Sequence, residues 1–167
     1  MSPTNSESNF GVVYESLLVH VPIPEKNIFR MQGENKPEKE VQRYADLLNN
    51  ELVIVNGFPQ FDLLLLGMGD DGHTASIFPN AMQLLTIDAS VVSAKHPTSN
   101  QNRITLTGNV IKNATKVVFL VTGVSKASVL KQIVNNDSES NLYPAYFFSK
   151  LPVTEFYLDI SAAREIK

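Results

Sequence analysis

Residues 61–79 read FDLLLLGMGDDGHTASIFP. The apolar run over 61–66 has the length and composition of a strand buried on both faces, as in a parallel sheet. It ends in Gly67-Met68-Gly69-Asp70-Asp71-Gly72, which is literally G-x-G-x-x-G after a strand. That spacing is the dinucleotide-binding fingerprint. Four features oppose a dinucleotide. Asp70 and Asp71 would repel a pyrophosphate. Pro79 leaves little room for the helix that must follow the last glycine. Asp88, at a plausible distance for the ribose-binding acid, precedes the strand at Val91 instead of closing it. The loop also lies mid-chain, whereas the fingerprint usually sits in the first strand–helix unit.

The other content of the loop is Asp71-Gly72-His73. α/β proteins place ligands and chemistry at the carboxyl ends of parallel strands. A histidine held there by tight turns can act as a general base near neutral pH, and a carboxylate two residues away can orient it. Two other chemistries are weaker. Asp70, Asp71 and His73 lack a further histidine or cysteine at ligand spacing, so no metal is expected. Ser76 lacks the G-x-S-x-G elbow of serine hydrolases. His20, at a helix end, and His96, in a polar loop, read as surface residues.

Strand and helix patterns alternate on both sides of this unit. Thr4 and Glu7 form a candidate capping box before a helix with Phe10, Val13, Tyr14, Leu17, Leu18 and Val21 inward. Pro22 and Pro24 end it, and 27–31 is a short candidate strand. Pro37 opens a second helix, with Glu38 and Glu40 suited to its positive end and Val41, Tyr44, Ala45, Leu48 and Leu52 inward. Further strands are expected over 91–94, 103–107, 116–121 and 153–159. The segment KHPTSNQN over 95–102 reads as a surface loop. Ser125 is placed to cap a helix that turns Ala127, Leu130, Ile133 and Val134 inward. The expected fold class is α/β: a Rossmann-like, mostly parallel sheet with helices on both faces, in a single domain over 1–167.

The bulk numbers narrow the function classes. The chain has 167 residues, a net charge of −3 and no cysteine. Nothing argues for nucleic-acid binding or attachment to an anionic membrane, and disulfide or thiolate chemistry is excluded. The first ten residues carry no signal-peptide pattern, and no apolar run has the length of a membrane span. The sequons at Asn113 and Asn136 read as chance. The expectation is a cytoplasmic protein.

At this point the residues resemble a known family. Residues 67–79, GMGDDGHTASIFP, closely resemble the signature of 6-phosphogluconolactonases. The related glucosamine-6-phosphate isomerases (deaminases) share Gly-x-Gly-x-Asp-Gly-His but continue Ile-Ala-Phe-Asn-Glu. The resemblance extends to Glu7-Ser8-Asn9, Val21-Pro22-Ile23-Pro24, Phe61-Asp62, the strand Arg103-Ile104-Thr105-Leu106-Thr107, Thr122-Gly123 with Lys126, Pro144-Ala145 and Leu158-Asp159. Family members begin with a further strand, a Gly-Gly-Ser-Thr-type phosphate loop and an Asp-Glu-Arg segment. This chain starts after those positions, so the resemblance implies an N-terminally incomplete member.

The resemblance implies hydrolysis of 6-phospho-D-glucono-1,5-lactone without metal or organic cofactor. It implies His73 and Asp71 as the catalytic pair, with backbone N–H groups around 72–74 serving the oxyanion. Lys95, Arg103, Lys126, Gly69, Gly72 and Thr74 are the expected substrate and phosphate contacts. The expected partner is a small sugar phosphate lactone. The intact protein is expected to be a monomer, with association through an exposed sheet edge where an adjacent strand is lost. The alternatives are a deaminase-like enzyme and an inactive sugar-phosphate-binding fragment.

Overall fold

A computed structural model describes residues 1–166. Its centre is a parallel three-stranded sheet of β3 (Leu64–Leu66), β6 (Val117–Val121) and β7 (Thr154–Leu158), in the order β3-β6-β7. Leu65 pairs with Val118, and Val118 with Glu155. Alternation along these strands turns Leu64, Leu66, Val117, Phe119 and Val121 to one face, where they are buried. Phe119 and Phe156 stack there at 4.7 Å. Helices α4 (Ala127–Asn135), α5 (Pro144–Ser149) and α6 (Ile160–Ala163) supply Leu130, Ile133, Phe148 and Ala162 to the same core.

The opposite face is more open. Leu65, Leu120 and Tyr157 are about half exposed, so 61–66 is buried on one face only, and its ordered strand is three residues long. The α/β class therefore stands, with the core of the described residues built on one side of the sheet.

Two antiparallel ribbons accompany the parallel sheet. β4 (Val91–Lys95) and β5 (Asn102–Leu106) form a hairpin, as the strand patterns suggest. β1 (Ile54–Val55) and β2 (Phe58–Pro59) close around Asn56-Gly57, a tight-hairpin signal the sequence reading passed over. The side-chain amide of Asn113 donates to the carbonyls of Val55 (3.0 Å) and Phe58 (2.9 Å), so this sequon nitrogen is tied into the fold. A short helix, α3 (Gly108–Lys112), follows β5.

Helix α2 (Pro37–Glu51) starts at its proline as expected. Glu40 is more than a first-turn charge. It is fully buried and accepts from the Gln32 N–H (2.7 Å), the Asn35 amide (3.0 Å) and the Arg43 guanidinium (2.6 and 2.8 Å). Burial works to raise its pKa, but Arg43 and these donors together hold the carboxyl below its ordinary value.

The first helix differs from expectation. α1 (Asn9–Ser16) is capped by Ser8, whose hydroxyl accepts the Gly11 N–H at 3.1 Å, and not by Thr4. None of its residues is buried, and Val13, Tyr14 and Leu17 remain exposed. Residues 27–31 form no strand; a 3-10 turn, Glu25–Asn27, precedes an irregular segment pinned by Glu40. Ser125 makes no cap, because a 3-10 turn, Val124–Lys126, leads directly into α4, and Val134 is exposed.

Candidate active site

β3 delivers the chain into the loop at the carboxyl end of the sheet. The loop closes on itself: the Gly69 N–H donates to the His73 carbonyl (2.9 Å) and the Gly72 N–H to the Gly69 carbonyl (3.2 Å). A β-carbon on Gly69 would lie 2.2 Å from His73 Nδ1 and 2.5 Å from the Asp71 carboxylate. Only glycine lets the imidazole and the carboxylate lie against the backbone here. Gly72 has φ +76, and a β-carbon there would enter the Tyr143 ring at 2.6–2.7 Å. Tyr143 leads into α5, whose Ala145 N–H bonds the Gly72 carbonyl at 3.0 Å. The third loop contact, from Thr74 Oγ1 to the Gly67 carbonyl, is 2.8 Å.

These constraints place one candidate pair. Asp71 Oδ1 lies 2.6 Å from His73 Nδ1 and also accepts the His73 backbone N–H at 3.0 Å. An ionised carboxylate only accepts, so the ring hydrogen sits on Nδ1 and the lone pair on Nε2. Partial burial tends to raise Asp71, but the two hydrogen bonds from His73 outweigh it and its carboxyl lies below the ordinary aspartate value. The Phe78 ring, itself buried, packs on the imidazole at 4.7 Å between centroids. The arrangement is a half-exposed imidazole, fixed on one edge by a carboxylate and on its face by an aromatic ring. It can take a proton at Nε2 and hold the resulting charge.

Other expected contacts lie elsewhere. Gly69, Gly72 and Thr74 are buried, and the Thr74 hydroxyl is spent on the loop. They shape the loop. The N–H groups of Gly72, His73 and Thr74 donate to Gly69, Asp71 and Ile77 respectively, so none is free for an oxyanion. This corrects the backbone oxyanion expected from the sequence.

The β4–β5 hairpin comes up to this loop. Ser76 N–H donates to Thr105 Oγ1 at 3.1 Å. Arg103 shares the face of Thr105 and pairs with Ala94, whereas Lys95 pairs with Asn102 on the other face. The two cations flank one loop in sequence but point to opposite sides of the ribbon. Arg103 is half-buried, and its Nε is buried with no partner among the described residues. Beside it lies a cavity of about 610 Å³, lined by Arg103, Ser76, Leu65, Phe10, Arg30 and Tyr44.

A sequence model of the family described as glucosamine-6-phosphate isomerases/6-phosphogluconolactonase matches residues 1–154. The chain belongs to that family. Among relatives, it is 45% identical over 163 residues to the 6-phosphogluconolactonase of Haemophilus influenzae, a match covering 97% of this chain and 68% of that protein. The crystal structure of a protein described as devB superposes with a TM-score of 0.90 at 38% identity, covering 100% of this chain and 70% of that one. The structure of 6-phosphogluconolactonase from Leishmania guyanensis gives a TM-score of 0.82 at 27% identity, covering 100% and 71%.

Lys126, the remaining expected contact, stands in the turn after β6, the parallel neighbour of β3. The two loops therefore leave the same end of the sheet, the carboxyl end at which open α/β sheets place their ligands. The turn is held by the Gly123 N–H, which bonds the Asp159 carboxylate at 3.1 Å. Lys126 is half-buried and has no ion-pair partner among the described residues. Phe78, Thr105 and Tyr143 escaped the sequence reading. Each acts by packing or hydrogen bonding across distant segments, and local spacing carries no mark of that.

Proposed function

We propose that this chain hydrolyses 6-phospho-D-glucono-1,5-lactone to 6-phosphogluconate, the lactone step of the oxidative pentose phosphate pathway. The observation that carries the reading is the Asp71–His73 pair at 2.6 Å in the glycine-shaped loop of a family member. His73 Nε2 accepts a proton from water as its oxygen adds to the lactone carbonyl carbon. The tetrahedral intermediate then expels the ring oxygen, which takes that proton back from the imidazolium. Asp71 keeps the ring in the required tautomer and balances its transient charge. Proton transfer, addition and elimination suffice, so the scheme calls on no metal or organic cofactor.

Negative charge must be met twice, on the carbonyl oxygen and on the phosphate. With the 72–74 N–H groups committed, cationic side chains take both roles. Arg103, on the loop side of the hairpin, and Lys126, in the neighbouring loop, are the candidates. Lys95 contributes long-range potential from the other side of the ribbon. No helix among the described residues is long and apolar enough to cross a membrane. We place the protein in the cytoplasm as one lactonase-like domain that binds no nucleic acid.

The test is hydrolysis of fresh lactone, with the spontaneous rate subtracted. Wild-type turnover that falls by about 100-fold or more in His73→Ala, at unchanged thermal stability, supports the assignment. Turnover that survives the substitution removes His73 as the base.

A further inference from the structure

The sequence selects Lys95 and passes over His96; the hairpin geometry reverses that choice. Arg103 and Thr105 occupy the side of the ribbon that meets the 67–79 loop. Ala94 is on that side too, so alternation brings His96 to it and sends Lys95 away. The His96 N–H bonds the Gln101 carbonyl at 3.0 Å, which extends the ladder by one more rung. The ring confirms the side: it meets the Phe78 ring nearly edge-on at 5.3 Å between centroids. Phe78 is the residue that packs on His73 at 4.7 Å. The two imidazoles therefore lie no more than 10.0 Å apart, the sum of 4.7 and 5.3 Å.

The hairpin loop also fixes what His96 presents. Its Nδ1 accepts the N–H groups of Thr98 (3.3 Å) and Ser99 (3.2 Å). A nitrogen that accepts carries no hydrogen, so the hydrogen is on Nε2. The Asn100 N–H donates back to the His96 carbonyl at 3.0 Å, closing the loop around the ring. His73 and His96 are thus complementary: one turns a lone pair outward, the other an N–H. Nε2 of His96 has no protein partner among the described residues and reaches solvent.

We propose that His96 is a substrate-positioning residue whose Nε2–H donates to the phosphate of the sugar lactone, beside Arg103, while the lactone carbonyl sits at His73. The inference rests on the lactonase reading. Five bonds separate the carbonyl carbon from phosphorus, about 6 Å when extended at ordinary bond lengths. With hydrogen-bond reach at either end, that span suits two rings within 10.0 Å.

Two substitutions separate this role from a structural one. In His96→Asn the side-chain oxygen can still accept from Thr98 and Ser99, but no donor reaches outward. In His96→Gln a donor reaches further out. The expected result is a KM about tenfold higher in His96→Asn, with kcat within about twofold and an unchanged melting temperature, and partial recovery of KM in His96→Gln. An unchanged KM in His96→Asn overturns the proposal. So does a change in His96→Asn that is confined to its melting temperature.

Binding of the product, 6-phosphogluconate, measured by calorimetry, keeps the two readings apart. If wild type shows no turnover but binds product, and His96→Asn weakens that binding about tenfold, the positioning role stands and the catalytic reading of this chain fails. Equal product affinity in wild type and His96→Asn overturns the positioning role whatever the turnover. No product binding by wild type overturns both.

Discussion

His73 and Asp71 show how a two-residue spacing becomes chemistry only through the glycines around it. Both side chains rest on the backbone of Gly69, where a β-carbon would lie within 2.5 Å of each. Gly69→Ala therefore must push the imidazole off the carboxylate, and lactone turnover should fall by at least tenfold with only a modest change in melting temperature. A variant that keeps wild-type kcat would show that the pair tolerates displacement. Asp71→Asn tests the electrostatic half of the same idea. The amide can still accept, but it carries no charge to balance an imidazolium, so kcat should drop roughly 10- to 100-fold. The pH response follows from the sign of the Asp71 shift. Its folded pKa is depressed, so its stabilising contribution is present above the ordinary aspartate range and is lost as pH falls through the lower folded value. Asp71→Asn should therefore remove part of the acid destabilisation seen in a pH series of urea midpoints, and parallel wild-type and mutant curves would contradict this. The Asp-Gly-His triplet and its glycines were legible as letters. That Gly72 and Thr74 are buried was not, because the Tyr143 ring that covers Gly72 is 71 positions away.

At the scale of elements, the patterns with strong periodicity or a covalent marker were readable, and those decided by distant partners were not. Pro37 fixed the start of α2, and the apolar patterns near 91–94 and 103–107 marked two strands, though not that they pair antiparallel. The apolar stripe of α1 has helical spacing, yet it buries nothing, because burial depends on what lies opposite and no spacing encodes that. Glu40 is the instructive case. A carboxylate in a first helical turn ordinarily sits in water near the positive end of the helix. Here it is buried, and it gathers Gln32, Asn35 and Arg43 around it, while Arg43 also donates to the Arg30 carbonyl at 3.0 Å. The carboxylate thus fastens the segment over 30–35 to α2, and Arg30 and Tyr44 then form part of the wall of the cavity beside Arg103. Removing its charge leaves Arg43 without its counter-ion, and Glu40→Gln should cost about 3 kcal/mol of stability at pH 7. Because the folded Glu40 pKa is lowered, that difference should shrink as pH falls through the folded value, where wild type becomes neutral as well. Equilibrium urea unfolding at two pH values measures both statements, and a pH-independent difference would refute the second.

For the whole molecule, the consequence lies in the face that the core leaves open. Leu63, Leu65, Leu120 and Tyr157 are each about half exposed, and β3 pairs only with β6 among the described residues. A parallel strand with a free edge and an apolar face is a template for association, since unpaired N–H and C=O groups and uncovered leucines gain by meeting a like surface. Charge does little to oppose it, because the net charge is only −3. The chain should therefore associate reversibly at tens of micromolar, with a sedimentation coefficient that rises with concentration. Leu65→Thr combined with Leu120→Thr puts strand-favouring β-branched residues at both positions while making the face more polar, and should shift the population toward monomer. The doubly substituted protein should retain the loop contacts, because Leu64 and Leu66, which carry β3 into the core, are untouched. Lactone turnover per chain separates the two surfaces: if it stays constant while association falls, the open face and the His73 loop are independent. If turnover falls in step with association, the site is completed across the contact. A wild-type chain that sediments as a monomer at every concentration would show that β3 and its open face do not drive association.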